Sequence, residues 1–173
     1  MKIYFVRHGE PDYGVIDERG YMGHGRDLAP LTEKGRAQAE IAACDPRLKE
    51  ASLIVSSPYT RALQTAAAIS RRTGLDIRVE VALHEWMPDL SFRYDCSEYS
   101  IGASLEYEAK NGIRDDSCRY NWESKEQLFA RVHSWLDRYR DHDCIIAVSH
   151  GMVIRQFAGE IPLSCCSITE IEI

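Results

Sequence analysis

The stretch Lys2-Ile3-Tyr4-Phe5-Val6-Arg7-His8-Gly9-Glu10 decides the fold. Apolar, β-prone residues run without interruption from Ile3 to Val6 and stop at a cation, an imidazole and a glycine. Such a run suits a strand buried on both faces of a parallel sheet. In open α/β sheets ligands bind at the carboxyl ends of strands, so Arg7 and His8 stand where a ligand would. Taken alone the tripeptide says little, because a strand-end histidine with a satisfied hydrogen bond reads the same way.

Outward from that strand, Glu10 to Pro30 carries four glycines and no periodicity, which predicts a long loop of the kind that is usually functional. Thr32 is placed to cap an alanine-rich helix ending near Cys44. Leu53-Ile54-Val55 predicts a second buried strand, with Ser57 as cap and Pro58 as first residue of a helix over 59–73 that Gly74 closes. Arg61 then lies in the first turn of that helix. Ile77-Arg78-Val79 predicts a short strand leading into Leu83-His84-Glu85-Trp86. Residues 97–111 read as a helix in an aromatic segment that suits the packing of a subdomain. Ser124 and Gln127 form a capping box for an amphipathic helix over 125–140. Cys144 to Val148 predicts another buried strand, ending at Ser149-His150-Gly151, with a short helix over 152–157 and an edge strand over 167–173 after it.

The bulk numbers exclude several classes. A chain of 173 residues with 45% hydrophobic and 28% charged content is expected to form one domain over 1–173. A net charge of −6 argues against nucleic acid or an anionic membrane as partner. The apolar run before Arg7 is too short for a signal peptide, and none approaches the ~20 residues of a membrane span, so a cytoplasmic protein is expected. The six cysteines have no metal-ligand spacing, and no glycine-rich nucleotide loop occurs. Neither a metal nor another cofactor is expected.

Two strands thus end in histidine followed by glycine, at His8-Gly9 and His150-Gly151, and a third strand leads to Arg61. If those strands are neighbours, Arg7, His8, Arg61 and His150 converge beside a helix N-terminus. Helix N-termini bind phosphate and arginine clamps it bidentately. The pieces Arg7-His8-Gly9-Glu10, Leu31-Thr32-x-x-Gly35-x-x-Gln38-Ala39, Ser56-Ser57-Pro58-x-x-Arg61-Ala62-x-Gln64-Thr65-Ala66, Glu85 after Leu83, and Val148-Ser149-His150-Gly151-x-x-Ile154-Arg155 resemble the histidine phosphatase superfamily, in its phosphoglycerate-mutase-like branch.

The resemblance implies an α/β three-layer sandwich, with a mostly parallel central sheet, helices on both faces and a small cap, here the substrate-facing insertion 84–123. It implies that His8 is the nucleophile that becomes phosphohistidine, with its second ring nitrogen donating to a backbone carbonyl. Arg7, Arg61 and His150, the last protonated beside the dianion, would hold the phosphoryl oxygens. Glu85 is the candidate acid, its pKa raised by the nearby dianion. Asp89 and Glu10 compete for that role, His24 is a further candidate on the glycine-rich loop, and His84 is a wall residue. The expected activity is hydrolysis of small phosphomonoesters. A phosphomutase or phosphotransferase using the same intermediate, and a non-catalytic phosphate-binding module, are the alternatives. Residues 84–123 hold nine acids against four bases, which is expected to repel polyanionic substrates. The oligomeric state is left open.

Overall fold

The computed structural model describes residues 1–173. Its centre is a five-stranded sheet in the order β3-β2-β4-β1-β5, made of β1 (Lys2–Arg7), β2 (Ile54–Ser56), β3 (Ile77–Val79), β4 (Cys144–Ser149) and β5 (Ile168–Glu172). Four strands are parallel, and β5 pairs antiparallel with β1 at the edge. Alternation along the strands sorts the core onto two faces. Ile3, Phe5, Val55, Ile145 and Ala147 face α5 (Lys125–Ser134) and α6 (Gly151–Ala158), while Tyr4, Val6, Ile54, Ile146 and Val148 face α3 (Thr60–Thr73). The α2 helix (Glu33–Ala42) packs on α3 through Leu31, Ala39 and Ala68. This is the expected three-layer arrangement.

The chain differs from the sequence expectation at three places. The segment 10–30 is not structureless: it holds α1 (Gly14–Glu18), a 3₁₀ turn over Gly23–Leu28 and a bridge between Pro11 and Leu31. Helix α3 starts at Thr60 with Tyr59, not Ser57, at its N-cap and no side-chain cap; the Ser57 hydroxyl accepts from Tyr59 N–H at 3.3 Å and bonds His150. The helix expected over 125–140 ends at Ser134 and tightens into a 3₁₀ turn over Leu136–Tyr139, which turns Trp135, Leu136 and Tyr139 onto the core. Thr32 caps α2 through Gly35, Gly74 closes α3 in the left-handed conformation, and the Ser124–Gln127 capping box forms.

Segment 84–123 folds around α4 (Ser97–Ala109) and an aromatic chain. Trp86 meets Tyr107, Tyr107 meets Trp122, Tyr94 meets Tyr99 and Tyr99 meets Tyr120, at centroid distances of 4.9–5.6 Å. No helix is long and apolar enough to cross a membrane.

Candidate active site

Because β2, β4 and β1 are adjacent and parallel, their carboxyl ends deliver three segments to one point. In the ladder Arg7 pairs with Ser149 and Ser56 with Val148. The backbone continues this: His8 N–H donates to Ser149 O at 3.0 Å and Ser57 N–H to Val148 O at 2.9 Å. The His8 and His150 rings therefore lie 5.0 Å apart, edge to face. Arg61, the second residue of α3, points its Nε at His8 Nε2 over 3.3 Å. A neutral Nε2 accepts that bond, and Nδ1–H donates to Gly9 O at 2.7 Å, so both bonds specify one tautomer.

Gly9 adopts no left-handed conformation; it is required for close approach. A Cβ at Gly9 would lie 2.5 Å from Gly35 O, and one at Gly35 would lie 2.2 Å from Glu10 O. The glycines at 9 and 35 thus let α2 dock against the end of β1. The Gly9 N–H is held by Thr65 Oγ1 at 3.1 Å.

The electrostatics follow from burial. His8 is 5% exposed, and its pKa falls to about 3 because burial and the Arg61 and Arg7 charges outweigh the Gly9 carbonyl, which raises it. His150 is fully buried, bonds Ser57 Oγ through Nε2 at 2.7 Å, and is driven well below the usual histidine range by burial and then by Arg61 and His8. Burial thus favours the neutral ring while the site holds no anion, and the imidazolium expected beside a dianion would need the ligand's charge to offset that burial. Arg7 Nε, Arg61 Nη1 and His150 Nδ1 are buried without a hydrogen-bond partner in the protein. Unsatisfied buried polar groups are costly, and three of them around two imidazoles mark a place built for an oxyanion.

Against this geometry the comparisons with known proteins can be set. The family model of the histidine phosphatase superfamily (branch 1) matches residues 3–163. The chain belongs to that superfamily. It is similar to glucosyl-3-phosphoglycerate phosphatase of Mycobacterium tuberculosis, 39% identical over 84 residues that cover 49% of this chain and 36% of that protein. It thus spans about a third of the length of that relative. It is also similar to a protein of an Enterobacter species named probable phosphoglycerate mutase, 30% identical over 163 residues covering 89% and 71% of the two chains. Among solved structures it resembles mycobacterial glucosyl-3-phosphoglycerate phosphatase with VO3, at 26% identity and a TM-score of 0.67, covering 98% of this chain and 90% of that one.

In this superfamily member, Arg61 and Glu85 line a cleft of about 320 Å³ together with His24, Asp27, Trp86 and Tyr94. Glu85 is partly buried and accepts from Trp86 N–H at 2.8 Å. Desolvation raises its pKa, while Trp86 N–H, Arg61, Met152 N–H and Arg7 pull it down. The elevation expected from a dianion is thus already present without one, with burial as its cause.

The two competing acids are committed elsewhere. The Asp89 carboxylate accepts from Ser91 N–H at 3.0 Å, Arg93 N–H at 2.7 Å and Tyr94 N–H at 3.0 Å. Desolvation raises its pKa, but these bonds with that of the Ser91 hydroxyl lower it overall. Glu10 turns to α2, bonding Lys34 Nζ and Thr32 Oγ1 at 2.9 Å each, which lowers its pKa. Neither lines the cleft. His84 bonds Glu85 O through Nδ1 at 2.7 Å and stacks on Tyr59 behind the cleft. His24 does reach it, its ring tilted 4.4 Å from Phe92 and edge-to-face 4.9 Å from Tyr94.

Three groups escaped the sequence reading. Ser57 bonds His150 as well as accepting from Tyr59 N–H ahead of α3. Tyr59 lies 4.9 Å under the Arg61 guanidinium. Asp27 sits 3.6 Å from Arg61 Nη2. Several acids of 84–123 are engaged away from the cleft. Glu106 accepts from the Arg119 and Tyr120 amides and the Trp122 indole, Asp115 pairs with Lys110, and Glu123 pairs with Arg131. Of its nine acids Glu85 alone lines the cleft.

Proposed function

We propose that the protein hydrolyses small phosphomonoesters through a phosphohistidine on His8. The observation that carries this reading is the fixed tautomer: with Nδ1–H tied to Gly9 O, the Nε2 lone pair is presented beside Arg61 and among unpartnered cationic donors. A neutral imidazole with a pKa of about 3 is nucleophilic at any physiological pH. On binding, an ester oxygen takes over the guanidinium of Arg61 and frees Nε2. Attack forms the N–P bond as the P–O bond to the alcohol breaks, and Glu85 gives its proton to the departing alkoxide. Water then attacks phosphorus while Glu85 takes a proton back, releasing inorganic phosphate and restoring His8. Arg7, Arg61 and His150 neutralise the equatorial oxygens throughout, aided by the N-termini of α3 and α6.

Residues 84–123 are read as the substrate-facing part of one domain over 1–173, because Trp86, Pro88, Tyr94 and Ser100 line the cleft. All six cysteines are free thiols, in keeping with action in the reducing cytoplasm. The mutase-named relatives favour a second reading, transfer of the same phosphoryl group to another alcohol. Rapid-quench labelling with a radioactive phosphate ester tests both. Alkali-stable phosphate on His8, absent in His8→Gln, with release of inorganic phosphate is the expected result. Transfer to added alcohols without hydrolysis would favour the mutase, and no labelling would leave only phosphate binding.

A further inference from the structure

The two sides of the cleft differ in charge. The phosphate side is cationic. On the alcohol side the aromatic walls Tyr13, Tyr59, Trp86 and Tyr94 surround Asp27. Its Oδ1 is 3.6 Å from Arg61 Nη2 and its Oδ2 is 3.4 Å from His24 Nδ1, both longer than good hydrogen bonds. The Tyr59 hydroxyl bonds the same carboxylate, whose four acceptor positions still leave room for a ligand. Arg26, the other cation of the cleft, is engaged, with its guanidinium bonded to Asp17 and stacked 4.7 Å over the Tyr13 ring. None of the four bases of 84–123 lines the cleft.

An alcohol bearing a carboxylate or second phosphate would thus meet Asp27 with no cation beside it except Arg61, which the phosphoryl group engages. An alcohol bearing an ammonium would meet a carboxylate among aromatic faces, and both attract a cation. Resting on the phosphomonoesterase reading, we infer that Asp27 is a specificity-determining residue, selecting phosphate esters of amine-bearing alcohols over those of anionic alcohols. Across Trp86 lies a second cleft, of about 330 Å³, lined by Arg155 and Lys125 but also by Glu108 and Glu160, the last 3.5 Å from Arg155 Nε.

The experiment measures kcat/KM for p-nitrophenyl phosphate, phosphoethanolamine, glycerol 1-phosphate and 3-phosphoglycerate. The wild type prefers phosphoethanolamine over 3-phosphoglycerate by on the order of tenfold or more. Raising ionic strength from about 0.01 to 1 M narrows that preference. Asp27→Asn lowers the rate with phosphoethanolamine and raises that with 3-phosphoglycerate, each by about tenfold, and moves the uncharged glycerol ester far less. Equal changes with all four esters would overturn the inference and reduce Asp27 to a support for Arg61. So would a wild-type preference for 3-phosphoglycerate that Arg155→Gln abolishes, which places the alcohol across Trp86. The salt series needs only the wild-type protein, so a poorly folded variant does not decide the matter. Failure to hydrolyse even p-nitrophenyl phosphate would overturn the phosphomonoesterase reading itself.

Discussion

Replacing Glu85 by Gln removes a proton donor while preserving shape and the acceptor for Trp86 N–H. An alkyl leaving group departs as a strongly basic alkoxide and needs that proton, whereas p-nitrophenolate does not. Loss of a general acid costs about 10²–10⁴ in rate, or about 3–5 kcal/mol of transition-state stabilisation. We expect a fall of that size for glycerol 1-phosphate and a change within about tenfold for p-nitrophenyl phosphate. The pH dependence makes the test sharper. In the free enzyme, burial raises the Glu85 pKa and the Arg61 and Arg7 charges partly offset it. A bound dianion cancels that offset. Glu85 must be protonated to act, so activity declines as pH rises through its pKa. The alkaline limb of kcat, which reports the complex, should therefore lie above that of kcat/KM, which reports the free enzyme. Stopped assays with alkyl esters from pH 4 to 9 measure both. Retention of the alkaline limb in Glu85→Gln, or equal losses with alkyl and aryl esters, would refute the assignment.

Two further outcomes concern stability. His8 has a folded pKa of about 3 against about 6.5 when unfolded, so between those values the unfolded chain binds the extra proton. Stability is then fully present above pH 6.5 and drains as pH falls towards 3, by about 2 kcal/mol from this residue at pH 5. Denaturant melts at pH 7 and pH 5 should show a drop smaller by that amount in His8→Gln, and equal drops would refute it. Gly35→Ala should cost about 2–3 kcal/mol, because its Cβ would meet the Glu10 carbonyl and amide, which are backbone atoms unable to swing away. Thermal melting should fall by about 4–10 °C, with loss of the proposed activity as the end of β1 shifts; an unchanged melting temperature would show that α2 can retreat freely.

The clamp was legible because each of its residues is tied to a regular element. Arg7, His8 and His150 follow uninterrupted apolar runs, and Arg61 lies in the first turn of a helix bounded by Gly74. Parallel pairing of adjacent strands then brings them together with little freedom. Gly9 and Gly35 could be seen as motif members but not understood, since their contact joins segments far apart in the chain. Ser57 was misread because a serine before proline has the local pattern of a cap, and only the tertiary position of His150 shows where its hydroxyl goes.

Charge on the alcohol side was illegible for a related reason. Counting nine acids in 84–123 treats every carboxylate as though it faced the ligand, yet a small segment must satisfy its own backbone first. Glu106 serves three amide or indole donors, Asp89 closes the turn to Tyr94, and Glu123 is buried against Arg131. The carboxylate that remains beside Glu85 comes from Asp27, in a loop whose composition carries no periodicity to locate it. On the proposed reading, selection on the alcohol side rests on Asp27, which lies outside 84–123, so the net charge of that segment is a poor guide to it.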